Sequence, residues 1–178
     1  MDGQATQLDL QLPSREENRA RAIAALDALG ISYELFEHPA VYTIAAMDEL
    51  NLTRGGEYAK NLFLRNASGK AHFLVIVQKD KHADLKALAR AIGSSRLSFA
   101  SPQRLARCLK VAQGSVSAAC VINDTEHLVQ VVVDQDLRGC PRFGMHPNDN
   151  TASVWLPFDQ VERLFAAAGH TPLFVSID

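Results

Sequence analysis

Three short polar stretches carry the chemistry this chain can offer: Lys60-Asn61 opening an apolar run, Gly114-Ser115-Val116 ahead of a second apolar run, and His146-Pro147-Asn148-Asp149-Asn150. A lysine at the mouth of an apolar strand can carry its ammonium into a pocket, where low dielectric magnifies one fixed charge, or it can snorkel to solvent from the strand end. Gly114-Ser115 reads either as the wall of a pocket or as a turn. His146-Pro147 reads either as a functional loop or as a loop closure.

Other catalytic signatures are missing. The chain has no GxSxG elbow, no GxxxxGK[ST] phosphate loop, no GxGxxG fingerprint and no HExxH helix. Its six histidines and three cysteines never fall at metal-ligand spacing, so neither a metal nor another cofactor is expected. Cys120, inside an apolar run, reads as a core filler, and Cys140 is too isolated to be read as a nucleophile. The widely spaced thiols point to a reducing compartment. With no basic-then-apolar leader and no membrane-length apolar run, the expectation is a cytoplasmic protein without membrane association.

The formal charge of −2 says little, but its distribution says more. From Lys79 to Lys110, eight Lys and Arg meet two Asp, a local balance of +6, whereas Asn123 to Asp136 holds four acids and no Lys or Arg. The basic segment is either a polyanion-binding surface or a solvated helical face.

The elements that must position these residues follow from periodicity and punctuation. Residues 1–13 read as a flexible tail, and 14–178 as one domain. Ser14 and Glu17 form a capping-box signal for a helix that Gly30 stops, with Ile23, Leu26 and Leu29 on its inner face. A strand is expected from Ile31 to Leu35, a short helix from Thr43 to Leu50, and a Thr53-Arg54-Gly55-Gly56 loop. Lys60 to Arg65 and Phe73 to Val77 then pair around the Asn66-Ala67-Ser68-Gly69 turn. Asp84 to Ile92 reads as a helix, Leu97 to Phe99 as a short strand, and Ser101-Pro102 as the start of a helix exposing Arg104 and Arg107. A second hairpin is expected from Val116 to Ile122 and Leu128 to Val133 across an Asn123-Asp124 turn. Phe143 to Asn150 reads as a polar loop, Thr151 to Leu156 as a strand, Pro157 to Gly169 as a helix facing Val161, Leu164 and Phe165 inward, and Leu173 to Ile177 as a final strand. This mixed order argues against a doubly wound parallel sheet.

The stretches LGISYELFEHPAVYT, KNLFLR, DLKALARAIG, LSFASPQRLARCL, GSVSAACVIND and HPNDNTASV occur in this order. In them, from about Glu17 to Ile177, the chain resembles the YbaK-like superfamily, the free-standing relatives of the prolyl-tRNA synthetase editing domain, and most closely its ProXp-ala type. The resemblance implies a single mixed α/β (α+β) domain with a curved, mostly antiparallel mixed sheet flanked by helices. It implies a trans-editing aminoacyl-tRNA deacylase that hydrolyses mischarged tRNA(Pro), chiefly Ala-tRNA(Pro), with prolyl-tRNA synthetase as a possible partner. On that analogy Lys60 and His146 are the catalytic residues, and Lys60 with Asn61 holds the terminal adenosine. Gly114, Ser115, Val116 and Ala118 shape the amino-acid pocket, and Asn150 lines its other side. Lys79, Lys81, Arg104 and Arg107 would meet the acceptor stem. One departure from the family pattern is Ala118, which stands where the synthetase-embedded domain has the proline of GxxxP. The competing readings are a non-catalytic tRNA-binding module of the same fold, a deacylase for serine or cysteine, and an unrelated small-molecule hydrolase.

Overall fold

The computed structural model describes residues 11–52 and 55–178, so most of the expected tail and Thr53-Arg54 lie outside the described residues. The first helix, α1 (Arg15–Ala28), starts as its capping box dictates: the Ser14 hydroxyl accepts from Glu17 N, and the Glu17 carboxylate accepts from Ser14 N. Its fully buried stripe is Asn18, Ala22 and Leu26, with Ile23 and Leu29 packed at the margin of the core. The expected first strand begins later, as β1 (Glu34–Glu37), followed by the short helix α2 (Ile44–Glu49), which is capped by Thr43 and buries none of its residues.

The central hairpin forms as expected. β2 (Glu57–Arg65) pairs antiparallel with β3 (His72–Gln78) from Ala59↔Gln78 to Arg65↔His72. After β3 come α3 (Leu85–Ala91), the two-residue β4 (Ser98–Phe99) and α4 (Pro102–Leu109). The later elements are β5 (Val129–Asp134), β6 (Phe143–Met145), β7 (Ala152–Leu156), α5 (Phe158–Ala167) and β8 (Leu173–Val175). The strands run in the order β1-β7-β6-β2-β3-β5-β8, with β4 against β2. The pairings β2–β6, β3–β5 and β5–β8 are parallel and the other four are antiparallel, which makes the sheet mixed.

β3 is apolar from Phe73 to Val77 because both of its faces are covered there. Leu74 and Ile76 join the core shared with α1, α4 and α5, whereas Phe73, Val75 and Val77 join the layer under α3.

The expected second hairpin does not form. Ala118–Asn123 is a 3-10 turn, and β5 instead runs parallel to β3. The reason is local: the Ser117 hydroxyl accepts from Ala119 N at 3.0 Å and Ser117 N donates to Cys120 Sγ at 3.3 Å, which turns the chain immediately. The small residues Ala118, Ala119 and Cys120 then fit beneath helices α1, α4 and α5. Cys120 is therefore no strand residue. It is wholly buried beside Asn148 Oδ1 at 3.2 Å, where burial pushes its thiol up to about 12.

The expected Phe143–Asn150 loop is also corrected. Its first three residues are β6, where Gly144 is required because a side chain would meet the Tyr58 ring at 2.8 Å and Trp155 at 2.9 Å. Its remainder is the expected polar loop, with Asn148, Asp149 and Asn150 buried.

At the end of β5, beside the end of β3, Asp134 is fully buried and collects three donors: Gln78 N at 3.3 Å, Asp136 N at 3.2 Å and Lys81 Nζ at 2.9 Å. Burial opposes the charge on Lys81, but its hydrogen bonds to Asp136 and Asp134 outweigh that cost and hold the ammonium above the ordinary lysine range. Asp134→Ala strands these donors and is expected to destabilise the fold by roughly 3 kcal/mol, whereas the apolar pair Asp134→Leu with Lys81→Met costs much less. Urea unfolding of both variants measures the difference, and equal losses would show that charge pairing is not what holds this corner.

Candidate functional site

On its other edge β2 changes partner. Glu57 and Tyr58 pair with β6, and Leu64 and Arg65 pair with β4, so no strand covers that edge from Ala59 to Phe63. A cavity of about 560 Å³ opens at this gap, lined from β2 by Tyr58, Ala59, Lys60, Asn61 and Phe63. Lys60 is half-buried, and its Nζ donates to the Lys81 carbonyl at 2.6 Å. The ammonium is thereby tethered at the cavity wall rather than released to solvent, and the Lys81 carbonyl that tethers it belongs to the residue locked by Asp134.

The sequence loci converge here. Gly114, Val116, His146 and Asn150 line the same cavity as Lys60 and Asn61. Ser115 and Ala118 do not line it: both are buried behind the wall, Ala118 at the start of the 3-10 turn. Gly114 adopts φ +91°, a conformation that favours glycine, and a side chain there would press on the Tyr42 ring at 3.2 Å. The His146 loop is set from behind by Asn148, which itself adopts φ +59°. Its Oδ1 accepts from Ser117 Oγ at 3.1 Å, and its Nδ2 donates to the Ala119 carbonyl at 3.3 Å. Asp149 Oδ1 accepts from Thr151 N at 3.0 Å and Thr151 Oγ1 at 2.8 Å, closing the loop on itself.

Among the described residues, the buried side-chain polar atoms without a hydrogen-bond partner are Asn61 Oδ1, His146 Nδ1, Asn150 Oδ1 and His170 Nε2, and three of these four belong to cavity-lining residues. Buried polar groups are normally satisfied, so their concentration in one place makes this wall ready to bond a polar ligand or water. Burial pushes the His146 imidazole down to about 4, against weaker opposing pulls from the Val116 backbone and Asp149. The ring is therefore neutral near pH 7 and offers hydrogen bonding rather than charge to the cavity.

Sequence reasoning did not find a second polar cluster on the same wall. The Tyr58 hydroxyl donates to Ser153 Oγ at 2.6 Å, and His38 Nε2 lies 2.8 Å from that oxygen. His38 Nδ1 donates to the Pro39 carbonyl at 2.8 Å, so in the neutral ring Nε2 accepts from Ser153. All three residues line the cavity, and burial raises Tyr58 to about 12, keeping its proton in place as a donor. His38 and Pro39 enter the sequence reading within the stretch LGISYELFEHPAVYT.

The expected tRNA-binding cations lie outside the cavity, and they are not equally available. Lys81 is paired with Asp134 and Asp136, which brings the basic and acidic stretches of the chain together. Arg104 is not on a free helical face: its Nη1 donates to the Gly69 carbonyl at 2.6 Å and contacts His72 Nε2 at 3.0 Å, tying α4 to the β2–β3 turn. Arg107 is exposed and Lys79 half-buried.

Fold and site together define a small mixed α/β domain with a polar-walled cavity at the break between β6 and β4 along β2. Residues 38–164 match the model of the aminoacyl-tRNA editing domain, and the chain belongs to that family. The prolyl-tRNA editing protein ProX of Acetoanaerobium sticklandii is 46% identical over 149 residues, covering 84% of this chain and 91% of that protein. The prolyl-tRNA synthetase associated domain-containing protein 1 of Danio rerio is 32% identical over 155 residues, covering 86% and 84%. In fold, the chain superposes on the crystal structure of a candidate trans-editing enzyme for prolyl tRNA synthetase with TM-score 0.67 at 21% identity, covering 90% and 96%.

Because the folded chain holds His146 at about 4, below its ordinary 6.5, the unfolded chain takes up this proton first as pH falls. The resulting contribution to stability is complete above pH about 6.5 and is lost progressively down to pH about 4. His146→Gln is expected to flatten the dependence of Tm on pH across that window. NMR titration of the wild-type ring is expected to show it neutral at pH 6, and a protonated ring there would refute the assignment.

Proposed function

We propose that this chain is a trans-editing hydrolase that removes a small wrong amino acid, chiefly alanine, from tRNA(Pro) in the cytoplasm. The observation that carries this reading is the set of unsatisfied polar atoms on Asn61, His146 and Asn150, gathered with Lys60 around one cavity. A volume of about 560 Å³ lies within the roughly 300–1,000 Å³ usual for small-molecule sites and suits a nucleoside bearing a small acyl group. Family membership and the similarity to ProX support the same substrate class.

An aminoacyl ester is already activated, and its neighbouring ribose hydroxyl can help to position the attacking water, so no protein nucleophile is required. The protein supplies placement and fixed donors near the developing oxyanion. In this reading Lys60 is the fixed positive charge and Asn61 holds the terminal adenosine. His146, neutral and weakly basic, orients the aminoacyl group by hydrogen bonding together with Asn150. Gly114 and Val116 form the wall that refuses proline by bulk, since attraction for a smaller group gives only about 1–3 kcal/mol of discrimination. Ser115 and Ala118 shape that wall from behind. Arg107 and Lys79 are the cations left to meet acceptor-stem phosphates, and prolyl-tRNA synthetase is the partner that would hand over mischarged tRNA.

Deacylation of tRNA(Pro) charged with alanine, serine or proline by the purified protein tests the proposal. Alanine is expected to be removed fastest, serine detectably, and proline not at all. Binding of mischarged tRNA without turnover would favour the binding-module reading, and efficient hydrolysis of the prolyl ester would overturn the size-exclusion argument. Lys60→Ala is expected to lower kcat/KM about a hundredfold while leaving Tm nearly unchanged. Normal turnover in that variant would return Lys60 to a structural role.

A further inference from the structure

Five large hydrophobic residues are exposed among the described residues, and the two most exposed are the aromatic ones, Tyr42 at 72% and Phe99 at 65%. Both line the cavity beside β2. Neither sits on a loose segment. Phe99 is held in β4 by its pairing with Leu64, and the next residue, Ala100, donates its amide to the Phe63 carbonyl at 3.0 Å. Tyr42 lies between Val41, whose amide donates to the Asn150 carbonyl at 3.1 Å, and Thr43, the α2 cap. Its ring packs where Gly114 leaves room for it. The cavity is thus polar at Lys60, Asn61, His146 and Asn150 and carries two flat, solvent-facing rings on backbone that is fixed in position.

A ligand matched to this arrangement has a polar reactive end and planar groups beside it. We propose that Tyr42 and Phe99 are stacking platforms for the unpaired bases at the 3′ end of the tRNA, holding the strand so that its aminoacyl ester reaches Lys60 and His146. This rests on the editing reading above and adds to it the residues that grip the single strand. Aromatic faces suit the task because stacking on a base tolerates any sequence and needs no hydrogen-bond partner. It also accounts for two large rings left in water beside a cavity whose deeper residues are sheltered.

The test uses alanyl-charged acceptor-stem minihelices with an intact 3′ end, or with an abasic nucleotide at the terminal or the penultimate position, and wild type, Tyr42→Ala, Phe99→Ala and Phe99→Trp. On the intact substrate each alanine variant is expected to raise KM about ten- to hundredfold, with most of the loss in KM rather than kcat, while Phe99→Trp stays near wild type. Each loss should shrink to within about threefold on one of the abasic substrates, because the base that the ring would hold is already gone. A loss that is the same on all three substrates would mean that the rings only shape the rim, or serve a protein partner, and would overturn the proposal. So would alanine variants with unchanged KM. Wild type inactive on every alanyl substrate would instead sink the editing reading itself. A minihelix carrying 2-aminopurine at the two positions gives a readout independent of turnover: its fluorescence should be quenched on binding wild type and recover when the matching ring is removed.

Discussion

The site depends on one strand having two different neighbours along one edge. β2 is continuously paired with β3 on one side, but on the other it meets β6 at its start and β4 at its end. Had one long strand covered that edge, Lys60 and Asn61 would be ordinary sheet residues. The interruption leaves side chains of a rigid strand facing open space, and a site on a strand holds its groups more precisely than one on a loop. The loops after β1, after α4 and after β6 close around that space, bringing residues from distant parts of the chain to one place.

Electrostatics reinforces this geometry at a distance. Lys60 is not held by a carboxylate; its ammonium is anchored by a main-chain carbonyl at the corner that Asp134 and Lys81 secure. A carbonyl fixes position without neutralising charge, so the cation keeps its full positive field toward the cavity. A salt bridge at the same place would have cancelled much of it. His146 contributes the complement, a ring kept uncharged by its surroundings, which avoids setting a second positive charge against Lys60.

Much of this was legible in the sequence where the governing interactions are local. The Ser14–Glu17 box, the Ser101-Pro102 start of α4 and the β2–β3 turn each involve neighbours a few residues apart. The failures occurred where the decisive contact is remote or where patterns coincide. An apolar run such as Ala118–Ile122 fits a buried strand and a buried turn equally well, and only the Ser117 cap and the helices above it decide between them. Phe143 to Met145 was read with the polar loop that follows, whereas these residues form β6 and Gly144 admits the rings of Tyr58 and Trp155. The Tyr58–Ser153–His38 cluster joins residues separated by 95 and 115 positions, and no spacing rule reveals such a contact.

The walls of the cavity are not built alike. The β2 wall belongs to the central sheet, and the His146 wall is locked by Asn148 and Asp149, so the backbone of either wall cannot shift without disturbing contacts far beyond the cavity. α2 buries none of its residues, yet Ile44 and Met47 line the cavity. A substitution at Ile44 or Met47 can therefore reshape the cavity with little penalty to folding. Cavity shape and folding are thereby separable at α2, where the outline of the cavity can be altered while the groups on the sheet stay in place.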